Sequence, residues 1–198
     1  NAVNMQNLDM KRLESGNDLF VRNEFPNNIK KIILEQVKGA LDQGYDMIND
    51  IQILIPTYKG DIGIDAINLL LQENIEYGDK KYYEKDKVIQ LVNDPKNFVM
   101  NGDIGYIKRI SKTVDNKDYL VVDFDGNEVF YDKNDLDSLN LAYAMSIHKS
   151  QGSEFDLVIL PFTFKYYIML KRKLIYTAVT RAKKYLIMLG NIEALAMG

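Results

Sequence analysis

A chain of 198 residues, 46% hydrophobic and 27% charged, can bury a core in one domain or two small ones. It has no cysteine and a single histidine, which excludes a disulfide framework and thiolate metal sites and makes any metal site unexpected. The net charge of −3 is uneven: residues 141–198 carry eight Lys/Arg against three Asp/Glu within an otherwise acidic chain, a pattern that suits an anionic partner such as phosphate, nucleotide or nucleic acid, unless the two segments neutralise each other in the fold. No apolar run reaches membrane-spanning length and no secretory signal opens the chain, so a cytoplasmic protein with no membrane partner is expected.

In chain order, residues 1–20 are polar and irregular until the short apolar patch DLFV. NEFPNNIKKIILEQVKGALDQG predicts an amphipathic helix, with Ile29, Ile32, Ile33, Val37, Ala40 and Leu41 at the helical period, Pro26 near the start and Gly44 past the end. IQILIP (51–56) predicts a buried strand, TYKGDIG a glycine-bearing loop and IDAINLLLQENI a second helix. After about Gln72 the pattern changes. EYGDKKYYEKDKVIQLVND, NFVMNGDIGYIKRISK and YLVVDFDGNEVFYDKNDL read as short strands, with turns at Asn101-Gly102 and Asp125-Gly126, the second inside a hairpin. LAYAMSIH restores a strand, followed by the HKSQG turn, the strand FDLVILP, a helix and the strand KYLIMLG. The expected fold class is α/β: a parallel sheet with helices on both faces, formed by residues 1–71 and 141–198 and interrupted at 72–140 by a small β-barrel of the SH3 kind.

Two segments concentrate chemistry. HKSQGSEFD (148–156) packs His148, Lys149, Ser150 and Gln151 around Gly152, followed by Glu154. These offer donors for phosphate oxygens, a backbone that a ligand can approach, and an acceptor for a ribose hydroxyl. The turn follows a strand, and in open α/β sheets ligands bind beyond the carboxyl ends of strands, so a site is expected there. A capped turn with solvated charges is the plainer alternative. KRKLIYTAVTRAKKYLIMLG (171–190) predicts a helix running into a buried strand. Leu170, Leu174 and Ala178 form its inward stripe and Arg181 continues it one turn on. There an arginine could reach a phosphate between domains, or simply compensate the helix dipole, as Lys183 and Lys184 are expected to do.

Read together, AYAMSIHKSQGSEFDLVILP and LIYTAVTRAKKYLIML resemble motifs V and VI of superfamily 1 helicases, nearest to the RecD-like branch. IQILIPTYKGDIGIDAINLLLQ looks like the stretch carrying motif IV, and NGDIGYIKRI with LVVDFDGNEVFY is similar to the SH3-like insertion, 2B, in the second RecA-like motor domain, 2A. The resemblance covers nearly the whole chain in the family's order. It implies that Arg181 contacts the γ-phosphate across a cleft, that Gly152 and Glu154 lie beside the nucleotide, and that His148, Lys149 and Ser150 face DNA. Thr57, Tyr58 and Lys59 are further DNA candidates, although Lys59 stands where relatives often have arginine. In the barrel, Lys108, Arg109 and Tyr106 could touch single-stranded DNA, and a solvated strand face would explain them as well.

No GxxxxGK[ST] phosphate loop occurs, nor a buried strand ending in Asp-Glu to hold magnesium; LVVDFD runs instead into the Asp125-Gly126 turn. The resemblance implies that both belong to a first motor domain preceding residue 1. The chain is then expected to be a fragment, inactive by itself, with no cofactor bound. The complete protein would use ATP and Mg2+ to move 5′ to 3′ on single-stranded DNA, alone or with other subunits of a recombination nuclease complex. The alternatives are a non-catalytic single-strand-binding module, an adaptor with vestigial motifs, and another superfamily 1 helicase such as a conjugative relaxase-helicase.

Overall fold

The computed structural model describes residues 18–23, 26–75, 81–112, 118–163, 166 and 172–190. The elements in order are β1 (Asp18–Asn23), α1 (Pro26–Asp42), β2 (Ile51–Ile55), α2 (Ile64–Ile75), β3 (Lys87–Gln90), β4 (Ile104–Lys112), β5 (Asp118–Phe124), β6 (Asn127–Tyr131), a 3-10 turn (Asp135–Ser138), β7 (Leu139–Leu141), β8 (Ala144–Ser146), β9 (Phe155–Phe162), α3 (Arg172–Val179) and β10 (Ala182–Gly190). They fall into two compact units, Asn1–Ile67 with Ala144–Gly198, and Asn68–Tyr143.

The first unit holds a five-stranded parallel sheet in the order β1-β10-β9-β2-β8. Successive side chains of a strand point to opposite faces, and all five residues of β2 are buried, so both faces of the sheet are covered there. Ile51, Ile53, Leu54 and Ile55 are fully buried, each worth about 1.5–3 kcal/mol of apolar transfer. The stripe predicted for α1 is buried at Ile29, Ile32, Ile33, Val37 and Ala40, while Leu41 at its end is only half-buried. On α3, Ala178 is buried and Leu174 half-buried; Leu170 lies outside the described residues. The stretch read as irregular up to residue 20 ends in a strand instead: β1 pairs in parallel with β10 from Asp18↔Tyr185 to Asn23↔Gly190. An edge strand needs partners on one side only, so the short DLFV patch suffices.

The second unit is a five-stranded antiparallel sheet, β6-β5-β4-β3-β7. Its core is separate: Tyr82, Val88, Val99, Ile107, Leu120, Val122, Val129 and Tyr131 pack together. The hairpin β5–β6 turns through Asp125 and Gly126 at φ 54° and 89°, the doubly left-handed geometry that favours Asp-Gly in two-residue hairpin loops. Two predicted strands are shorter than their sequence pattern. Before β3, the chain turns through Lys85 at φ 71° and the buried carboxylate of Asp86 accepts hydrogen bonds from Gln72 Nε2 (2.6 Å), Tyr143 Oη (2.7 Å) and Tyr83 N (2.8 Å). Before β4, residues 94–99 form a single bridged turn, Asp94↔Val99, instead of a strand.

Candidate functional site

The turn between β8 and β9 links two strands that both run parallel to β2, so it must travel from one edge of the sheet to the other. Ser146 pairs with Ile55, and Ile53 pairs with Ile159, which sets Ser146 level with Pro161. The chain re-enters at Phe155, six strand residues or about 20 Å lower. The sequence-based expectation put the whole site beyond a carboxyl end. Only its first half is there; its second half lies at the amino edge of β9.

Two fully buried residues pin this turn. Ile147 is inside, and the Ser150 hydroxyl donates to the Ile147 carbonyl at 2.8 Å. Lys149 N donates to Ser146 O at 3.0 Å and Ser153 N to Ser150 O at 3.1 Å, giving one helical turn and a reversal. Gly152 follows at φ 90° with open space where a Cβ would stand, so it is needed for conformation and not for clearance. The outcome is that His148, Gln151, Gly152 and Glu154 are exposed, Lys149 and Ser153 are half-buried, and the Ser150 side chain faces the interior. Burial pushes the Lys149 ammonium below its ordinary value.

At the amino edge the turn meets the end of α3. Phe155 N donates to Arg181 O at 2.8 Å, and β10 starts beside β9 at Ala182↔Phe155. The half-buried Arg181 guanidinium donates from Nη1 to Ser153 O (3.0 Å), from Nη2 to Thr180 Oγ1 (3.2 Å) and from Nε to Thr177 O (3.3 Å). All three acceptors are neutral. Among the described residues, no carboxylate lies within ion-pair distance of Arg181, Lys149 or Lys59. Lys183 and Lys184 belong to β10 rather than to the helix end, and Lys184 pairs with Asp156 at 2.6 Å.

The carboxyl edge carries the other candidates. Because Ile55 pairs with Ser146, the loop Thr57–Gly63 and residues 147–149 leave the sheet from neighbouring strands. Thr57 is half-buried, while Tyr58 and Lys59 are exposed. The loop folds over the start of α2, with Ile64 N donating to Thr57 O (3.0 Å) and Asp65 N to Tyr58 O (3.3 Å). Gly63 permits this: a Cβ there would lie 2.4 Å from Tyr58 O. From beyond β9, the buried Tyr166 donates its hydroxyl to Ile62 O at 2.8 Å, and burial raises that phenol to about 12. Nothing in TFKYYIM distinguishes this tyrosine from its neighbour, so sequence reasoning missed it.

In the antiparallel sheet, Lys108 is the extra residue of a β-bulge between Ile107↔Val122 and Arg109↔Val121, which exposes Lys108 and Arg109 together. Both meet acids. Lys108 Nζ lies 2.7 Å from Glu128 Oε1 and 3.4 Å from Asp123 Oδ2, and Arg109 Nη2 lies 3.8 Å from Glu128 Oε2. Tyr106 Oη donates to Asp123 Oδ2 at 3.4 Å. Among the described residues no group of three His, Cys, Asp or Glu could hold a metal ion, and no helix is long and apolar enough to cross a membrane.

Comparison with known proteins bears on this arrangement. Residues 141–189 match the UvrD-like helicase C-terminal domain, and residues 65–124 match the SH3 domain of ATP-dependent RecD-like DNA helicases. The chain is 33% identical over 151 residues to the ATP-dependent RecD2 DNA helicase of Deinococcus radiodurans, covering 73% of this chain and 20% of that protein. It is 29% identical over 148 residues to the RecBCD enzyme subunit RecD of Buchnera aphidicola subsp. Schizaphis graminum, covering 68% and 24%. The chain thus spans about a fifth to a quarter of the length of these curated relatives. In fold it is similar to the Pif1 helicase from Candida albicans, with TM-score 0.53 at 16% identity over 89% of this chain and 57% of that one. With its RecA-like parallel sheet and SH3-like insertion, the chain belongs to the RecD-like superfamily 1 DNA helicases, as the counterpart of their C-terminal part.

Proposed function

We propose that this chain supplies the second motor domain of an ATP-driven DNA helicase, with the nucleotide on the amino edge of its parallel sheet and single-stranded DNA on the carboxyl edge. The observation that carries this reading is Arg181: a half-buried guanidinium with three neutral acceptors and, among the described residues, no acid within ion-pair distance, held against the turn that bears Gly152 and Glu154. A cation so placed has donors to give a phosphate without breaking an ion pair.

The residues present suit part of a nucleotide and not all of it. Arg181 would face the terminal phosphate and Glu154 the ribose, with Gly152 supplying the positive-φ bend of the turn between them. ATP supplies the phosphoryl transfer that drives such a motor. A phosphate-cradling loop and the ligands for Mg2+ would come from a partner motor domain. Arg181 stabilises charge developing on the transferred group, a role worth about three to five orders of magnitude in related phosphoryl transfers. On the carboxyl edge, His148, Lys149, Thr57, Tyr58 and Lys59 would grip the DNA backbone, with Ser150 holding the turn from inside. Lys108 and Arg109 would be weaker contacts, since each must leave Glu128 to reach a phosphate. The turn 147–154 begins at one ligand and ends at the other, so it is the element through which nucleotide state would alter the grip.

The reading includes 5′-to-3′ movement, work in the cytoplasm, and assembly with other subunits of a recombination nuclease complex, by analogy with the RecD relatives. It is tested in the protein containing both motor domains. Arg181→Ala should lower ATP turnover at least about a thousandfold while fluorescent ADP still binds. Normal turnover in that variant contradicts the proposal.

A further inference from the structure

The three hydrogen bonds of the Arg181 guanidinium are not equivalent. Two go to its own helix end: Nε donates to the Thr177 carbonyl at 3.3 Å and Nη2 to the Thr180 hydroxyl at 3.2 Å. The third crosses to a different segment, Nη1 to Ser153 O at 3.0 Å. Thr180 is in turn anchored, because its hydroxyl donates to the same Thr177 carbonyl at 3.0 Å. A guanidinium is planar with five N–H donors in a fixed fork, so gripping Nε and Nη2 from one side fixes the plane of the whole group. Three donors then remain, and the bond from Nη1 to Ser153 O is the one that depends on the turn between β8 and β9.

We infer that Thr180 is a positioning residue for Arg181: its hydroxyl orients the guanidinium from the helix side, leaving the Ser153 carbonyl as the contact that a phosphate oxygen replaces. The inference rests on the proposed function, in which Arg181 faces the nucleotide, and adds a residue and an order of events to it. Helix-end support alone cannot explain the pattern. Thr180 already closes the helix through its backbone, with N donating to Tyr176 O at 3.0 Å, and its hydroxyl has a second partner only because Arg181 is there. In the resting state the arginine is oriented yet engaged with the turn. Movement of the turn releases Nη1 without disturbing the other two bonds.

The test uses Thr180→Val, which keeps the shape and removes the hydroxyl, and Thr180→Ser, which restores it. In the 198-residue chain, hydrogen exchange at the Arg181 Nε–H, read by nitrogen-resolved NMR, should quicken at least about fivefold in the valine variant and stay near wild type in the serine variant. In the protein with both motor domains, Thr180→Val should lower kcat about tenfold with the KM for ATP unchanged, and serine should recover most of the loss. A residue that merely supported the helix would leave the exchange and kcat at wild-type values once the variant is folded. That outcome, alongside a large loss in Arg181→Ala, overturns the role of Thr180 and leaves the proposed function standing. An unimpaired Arg181→Ala overturns both.

Discussion

Two groups of cations in this chain look alike in sequence and differ in structure. Arg181, Lys149 and Lys59 belong to the parallel-sheet unit and have no acid within ion-pair distance among the described residues. Lys108 and Arg109 in the antiparallel sheet share Glu128, and Lys108 also meets Asp123. A basic residue is open to phosphate only if nothing on the next strand already neutralises it. The difference lies in register: the bulge at Lys108 turns two consecutive cations outward beside the row that holds Asp123 and Glu128.

The sharpest way to break this comparison is to remove one cation from each group. In the two-domain protein, Arg181→Ala should cost at least about a thousandfold in ATP turnover, whereas Arg109→Ala should stay within about twofold of wild type. Comparable losses would show that the ion pairs do not matter. DNA affinity gives a finer reading. Lys59→Ala and Lys149→Ala should each reduce the slope of log affinity for oligo-dT against log salt by about 0.7, the value for one phosphate contact on a single strand. Lys108→Ala should change that slope by clearly less. Tyr166→Phe removes the hydroxyl that holds Ile62 O and should cost about 1 kcal/mol in chemical denaturation, with weaker oligo-dT binding because the Thr57–Gly63 loop loosens.

The smallest effect concerns pH. The Gly126 amide, and then Lys108, hold the Asp123 carboxyl below its ordinary value of 3.8. A depressed carboxylate contributes stability that is present above its unfolded value and lost as pH falls through the folded one. The stability of the antiparallel unit should therefore be insensitive to this group down to about pH 4 and fall below it, and Asp123→Asn should flatten that acid limb. An unchanged acid limb in that variant would remove Asp123 from the account.

Sequence patterns reveal what is local. The period of α1, the apolar run of β2 and the Asp125-Gly126 hairpin each follow from short-range stereochemistry, and each is found in the structure. The polar knot 148–154 and Arg181 were visible as unusual composition. What could not be seen is non-local or made of backbone. The acceptor for Arg181 Nη1 is the carbonyl of Ser153, an atom every residue has. The neutralisation of Lys108 by Glu128 requires the pairing of β4, β5 and β6 and the bulge between them. The crossing of the turn from one sheet edge to the other follows from β8 and β9 both running parallel to β2, which no single segment encodes. β1 was missed because an edge strand needs so few apolar residues.

The central claim is that one turn joins two separate ligand edges of one sheet. Hydrogen exchange by mass spectrometry on the two-domain protein addresses it directly, comparing ADP-fluoroaluminate with oligo-dT as added ligands. The account predicts that the nucleotide mimic protects residues 152–155 and the region of Arg181, that oligo-dT protects 57–60 and 147–149, and that either ligand alters exchange at the other end of the turn. Protection of both sets by one ligand and of neither by the other would contradict it.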